Sequence, residues 1–259
     1  PNHGELPSPL CRVGIAGSAS RPVQADIKEQ RQKLLKCIPT ENAGYQEWFQ
    51  FALRYSDHVA KCFTLDSGLE ERDSFWSELW PAVDDQFSGW VHKKFDSHHN
   101  LPPARPVVVH QIPKLLTRSH SIGRKVALLV LDGLSLSQWK VLRNHLEPKL
   151  NGVSMHENAC LTHIPTITNV CRQAIYAGEL PVFFESTIER TDCDSKRWKA
   201  FWDSAPGRRA KASWVLVDGH DEDLAVDKQT IEMEPTALAV TVKMHAETMH
   251  GATMGCTGR

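Results

Sequence analysis

The chain has 259 residues, 41% hydrophobic and 24% charged, with 15 glycines and 15 prolines. That is the composition of a globular protein with core enough for one large or two modest domains, and it excludes disordered, collagenous and repeat-built classes. Lys and Arg number 30 against 31 Asp and Glu, so no global field draws nucleic acid or anionic lipid. The 7 cysteines are scattered with no CxxC spacing, which argues against a disulfide framework and a zinc ribbon and points to a reducing cytoplasm. The longest clean apolar run, Val126 to Leu131, is far short of the roughly 20 residues that span a bilayer, so no membrane helix is expected. Pro1 to Pro22 lacks the basic start and apolar core of a signal peptide. Walker-type, GxGxxG and HExxH motifs are missing, which removes P-loop NTPase, Rossmann dehydrogenase and common zinc protease readings.

In chain order, residues 1–23 carry Gly, Pro and Ser without periodicity and are expected to be irregular or disordered. Residues 24–105 read as a helical region. Ile27, Leu34, Leu35 and Ile38, then Trp48, Phe49, Ala52, Tyr55 and Val59, then Phe75, Trp76, Leu79, Val83, Phe87 and Val91 recur at helical spacing, which three helices satisfy. Trp48, Trp76, Trp80 and Trp90 are assigned to core packing at that spacing rather than to base stacking. The segment NLPPARP, Asn100 to Pro106, breaks helix and marks a border.

From residue 106 to 259 short β-rich runs alternate with amphipathic helices, the pattern of an α/β fold with a mostly parallel central sheet flanked by helices. Val107 to Val109 is expected to be an edge or lead-in strand. KVALLVLDG, Lys125 to Gly133, is the strongest strand; its unbroken apolar run predicts burial on both faces and a central place in the sheet. Helices are expected at Leu134 to Leu150, at Asn169 to Ala177 with Gly178 closing it, at Lys196 to Trp202 and at Pro235 to His250. Further strands are expected near Val153 to Cys160 and at Trp214 to Val217.

Ligands of open α/β sheets gather at the carboxyl ends of strands, which makes Asp132 the first candidate. Its carboxylate suits a hard or borderline cation; equally, it suits a turn that caps the next helix. Thr168 stands where a helix begins, with its hydroxyl toward unpaired backbone N–H groups and the positive helix end, where a phosphate rests. Such a hydroxyl, beside a cation, can attack phosphorus; it can also be a plain N-cap, and Thr166 is interchangeable with it at this stage. Arg172, four residues on, lies on the same face, either to fork onto phosphate oxygens or as a solvated surface residue. His250, followed by Gly251, is a metal-ligand candidate or a helix C-terminal cap.

The strand LLVLDGLSLSQW, the segment PTITNVCRQAIYAG and the late MHGATMG, in this order, resemble the PglZ domain, a branch of the alkaline phosphatase superfamily. RPVVVHQIPKLLTR, Arg105 to Arg118, is more narrowly similar to the PglZ phosphatase component of type 3 BREX phage-defence systems. The resemblance implies a metal-dependent phosphohydrolase or phosphodiesterase using Zn or Mn on a phosphate ester, with other BREX-type defence proteins as partners. It further implies that Asp132 is a metal ligand and that Thr168 is both nucleophile and ligand. His250 matches the histidine of an Asp-x-x-x-His pair whose aspartate is here Ala246. No Asp-His motif follows Gly255.

Both metal sites are therefore expected to be incomplete, and the chain to be an inactive fragment of such an enzyme with a bare strand edge. The alternative is a non-catalytic assembly or scaffold subunit that binds other proteins of the defence complex. A third reading, direct nucleic-acid binding, rests on Arg208, Arg209 and Lys211 near Trp198 and Trp202.

Overall fold

The computed structural model describes residues 21–64, 73–99, 101, 105–207, 209–218 and 234–243. They fall into two compact units. One holds the described residues up to Phe95 together with Leu134–Ala159; the other holds Asp96–Gly133 and those described from Cys160 to Lys243.

The first unit is helical. Helix α1 spans Arg21–Lys36 and α2 spans Tyr45–Thr64; a π-helical turn at Phe75–Leu79 runs directly into α3, Trp80–Lys94. Helix α1 begins at Arg21, within the stretch expected to be irregular, whose residues 1–20 lie outside the described residues. Of the predicted apolar positions Ile27, Leu34, Trp48, Phe75, Leu79 and Trp90 are buried, joined by Phe51, which the predicted stripe did not include. Trp48 packs edge-on against Phe87 at 5.0 Å between ring centres and lies 6.0 Å from Trp90, whose Nε1 donates to the Ala43 carbonyl at 2.9 Å. Trp76 and Trp80 depart from the core assignment, since each is nearly half exposed.

After the first long strand the chain forms α5, Leu136–Leu146. Ser135 and Gln138 open it with a reciprocal capping box, which satisfies two of the amides that a helix start leaves unpaired. Helix α5 packs on α2. Its buried Lys140 donates to Asp57 at 3.1 Å and to Glu157, which also accepts from Trp139 Nε1 at 2.9 Å. A buried ammonium costs several kcal/mol in desolvation unless it is paired in this way.

The second unit contains α4, Ile112–Ser121, then β1, Val126–Asp132, then α6, Thr168–Ala177, and α7, Asp194–Ser204; strands β2, Ala212–Asp218, and β3, Ala237–Lys243, complete it. The sheet is wholly parallel, in the order β1-β3-β2, with Leu128 and Trp214 both opposite Ala239. Strand side chains alternate between faces. Val126, Leu128 and Val130 with Ala237, Ala239, Ala212 and Trp214 therefore share one face, and they pack against Tyr176, Trp198 and Trp202. The Tyr176 hydroxyl meets Thr241 Oγ1 at 2.5 Å inside this core.

Three expectations are corrected here. Strand β1 lies at the edge of the described sheet and β3 lies in the middle. The apolar run of β1 gave no sign of this because Ala127 and Leu129, on the face away from the core cluster, are exposed rather than dry. The helix expected at Pro235 to His250 is a strand over Ala237–Lys243. ALAVTVK alternates small buried and half-buried positions with period two, and its β-branched residues suit a pleated surface. The segments at 107–109 and 153–160 form no ladder: Val108 makes one parallel bridge to Leu161, and Val109–Gln111 turns into a 3-10 helix. Trp198 and Trp202 are 0% and 3% exposed, so neither is available to stack a base. Arg208 lies outside the described residues.

Gly178 ends α6 in the left-handed region at φ 66°, and a Cβ there would lie 2.8 Å from the Phe201 ring and 3.2 Å from Pro113. Gly178→Ala is expected to lower the unfolding free energy by roughly 2–4 kcal/mol, from backbone strain plus overpacking, as measured by urea denaturation. In the helical unit, His58 is 1% exposed with its Nδ1 unpartnered. Burial, then Arg31 and Lys61, pull its pKa down to about 4. The folded state thus refuses a proton that the unfolded chain accepts: the stability is intact above about pH 6.5 and falls as pH drops from there toward 4, by about 1.4 kcal/mol per pH unit for one such group. His58→Leu is expected to flatten that part of the stability–pH curve, and an unchanged slope would refute the assignment.

Candidate functional site

The site is built at the carboxyl end of β1 and the amino end of α6. Strand β1 ends on Asp132, and Gly133, at φ 81°, turns the chain away. The extended Ile167 is the N-cap of α6, so Thr168 is the first helical residue and not the cap, a shift of one position from the sequence reading. Thr168 is exposed, as is Thr166. Arg172 lies one turn further on, roughly 6 Å along the axis. Helical side chains lean toward the N-terminus, which aims Arg172 back past the turn that holds Thr168.

Arg172 is 4% exposed, which rules out a solvated surface role. Its Nη1 donates to Asp132 Oδ2 at 3.1 Å, and its Nε donates to Asp194 Oδ2 at 2.9 Å. Its Nη2 donates to the same Asp194 oxygen and to the Thr191 carbonyl at 3.3 Å. Asp132 is therefore neither a helix cap, a task that Ser135 performs, nor a free carboxylate. The structure brings Asp132 and Arg172 into direct contact and places Thr168 one turn away on the same helix. His250 and Ala246 lie outside the described residues.

Asp194 is the residue that sequence reasoning missed. It opens α7 and is 1% exposed. Within TDCDSKRW it looks like any acidic residue in a first helical turn, so only its long-range pairing reveals it. Burial pushes the Asp194 carboxyl above the usual range, and Arg172 opposes that rise. Burial also weakens the hold of Arg172 on its proton, but Asp194 and then Asp132 reverse this and leave its pKa raised. One guanidinium faces two carboxylates, and Asp194 Oδ1 is buried with no hydrogen-bond partner.

Among the described residues no three His, Cys, Asp or Glu side chains are gathered to hold a metal ion as they stand. The donors near Thr168 do not fit a dication in this arrangement. A cation bound at Asp132 Oδ2 would sit against the guanidinium already on that oxygen, and like charges at such separation repel strongly in a buried setting.

Residues 108–204 match the family model described as the BREX system PglZ alkaline phosphatase-like domain. The segment is PglZ-like. It is less than half of the chain, and it contains Asp132, Thr168, Arg172 and Asp194. The parallel sheet with flanking helices agrees with an alkaline phosphatase-like α/β fold, a superfamily that generally uses divalent metals. No curated protein matches the sequence. No helix among the described residues is long and apolar enough to cross a membrane.

Removal of the shared cation leaves Asp194 a buried charge without a partner. Arg172→Met is expected to cost about 3–5 kcal/mol in urea denaturation. Adding Asp194→Leu to it should recover part of that loss, whereas independent sites would give two additive losses.

Proposed function

We propose that this chain is a PglZ-type component of a BREX-like phage-defence system whose phosphohydrolase-type site is closed by its own arginine, so that it does not hydrolyse phosphodiesters by itself. The observation that carries this reading is the salt bridge from Arg172 to Asp132 at 3.1 Å. The oxygen that would receive a metal in an active relative is already engaged by a positive charge. The resemblance to the PglZ family adds that the aspartate four residues before His250 is here Ala246, a side chain with no donor atom.

In this reading Thr168 keeps the nucleophile's position without the means to use it. An alcohol attacks phosphorus only when something takes its proton or holds it as an alkoxide. The first turn of α6 still offers unpaired amides and a positive helix end to an anion. Arg172 serves as the internal counter-ion that keeps Asp132 and Asp194 in register.

The role then falls to assembly with other proteins of the defence complex, in the cytoplasm. Exposed apolar side chains in the second unit support it: Leu129 on β1, Ile164 and Ile167 before α6, and Val182 and Phe183 after it. Burying such residues against a partner is worth roughly 1.5–3 kcal/mol each when complete.

The test is bis-p-nitrophenyl phosphate with Zn or Mn, comparing the chain with Thr168→Ala. No Thr168-dependent release of nitrophenol is expected. Metal-dependent release that disappears in Thr168→Ala would overturn the proposal and favour a metal-dependent phosphodiesterase that frees Asp132 from Arg172 on loading.

A further inference from the structure

Three imidazoles meet in the second unit, on segments that the candidate site does not use. His110 lies in the 3-10 turn Val109–Gln111, His163 lies five residues before Thr168, and His99 precedes the proline-rich border. Ring centres are 5.4 Å apart for His110 and His163, 5.7 Å for His99 and His163, and 6.3 Å for His99 and His110. The backbone fixes two of the three. Val109 N donates to the Leu161 carbonyl at 2.9 Å and Leu161 N to the Val107 carbonyl at 2.7 Å, so the His110 and His163 segments are clamped side by side.

From this geometry we infer that His99, His110 and His163 form a site for one borderline divalent cation, zinc above all, separate from Asp132 and Thr168. Three histidines on a tetrahedral zinc, at Zn–N of about 2.0–2.1 Å, place their ring centres roughly 5 Å apart. Two of the three pairs stand within an ångström of that spacing and the His99–His110 pair about 1.3 Å beyond it, so the three are not a ligand group as they stand, and side-chain rotation has to turn their nitrogens onto a common point. His110 is prepared as a ligand in a specific way. Its Nδ1 is buried without a hydrogen-bond partner.

His163 contributes a second orphan, since its Nε2 is buried with no partner and the residue is 4% exposed. A buried ring nitrogen left without a partner is costly, and a cation would relieve two of them at once. The cation would clip the loop that leads into Thr168 to the 3-10 turn and to residue 99; the clip is structural and independent of phosphate chemistry.

The test uses the full chain, stripped by chelator and titrated with Zn2+ or Co2+. The expected result is uptake of one equivalent, a rise in melting temperature on loading, and visible cobalt bands of a tetrahedral nitrogen site. Thr168→Ala should leave uptake unchanged, and His110→Ala or His163→Ala should weaken it by roughly 10–100-fold or more. Uptake that is unchanged in His110→Ala with His163→Ala, or no uptake by the unaltered chain, overturns the inference. X-ray absorption of the zinc-loaded unaltered chain is a second arbiter that does not depend on the folding of those variants. An imidazole-rich shell upholds the site, and an oxygen-only shell overturns it.

Discussion

The second unit depends on a single guanidinium. Arg172 is the only group described that touches β1 through Asp132, the segment after α6 through Thr191, and α7 through Asp194. Each carboxylate would be costly to bury alone, and the arginine would be costlier still. Together they make the end of β1, the first turns of α6 and the start of α7 mutually conditional.

The same contact decides between chemical readings. A carboxylate at a strand end and a threonine at a helix start are the raw parts of a phosphoryl-transfer site, but parts act only when their charges are arranged to act. Here the positive charge beside Asp132 comes from the chain itself. That arrangement is compatible with the PglZ-like match over residues 108–204.

Much of the fold was legible from the order of residues because the deciding forces were local. The helical stripes at Trp48 and Phe87, the closure of α6 at Gly178, and β1 itself follow from periodicity, a left-handed cap and an apolar run. What escaped depended on distant partners. The strand at 237–243 carries small alanines that also suit a helix, and its lateral pairing with both β1 and β2 decides its state. Strand β1 could not be placed at an edge from its own residues, since an apolar run says nothing about which neighbours arrive. Asp132 and Arg172 were recognised, but their mutual bond and the role of Asp194 needed a fold that joins positions 40 and 22 residues apart. The histidines were invisible as a set, since it is the bridge between Val108 and Leu161 that sets His110 beside His163.

The interleaving of the two units has a consequence for how the chain is made. Helix α5 belongs with α2, although it is threaded between β1 and α6. The backbone crosses from one unit to the other at residues 95, 133 and 159, so no single cleavage yields either unit intact. Each unit, once formed, shortens the tether that the other must close, and loop-closure entropy makes their assembly cooperative. During synthesis the helices that emerge first must wait for Leu134–Ala159 before their set is complete. The ribosome therefore delivers the sheet's first strand into a molecule whose earlier half is still unfinished.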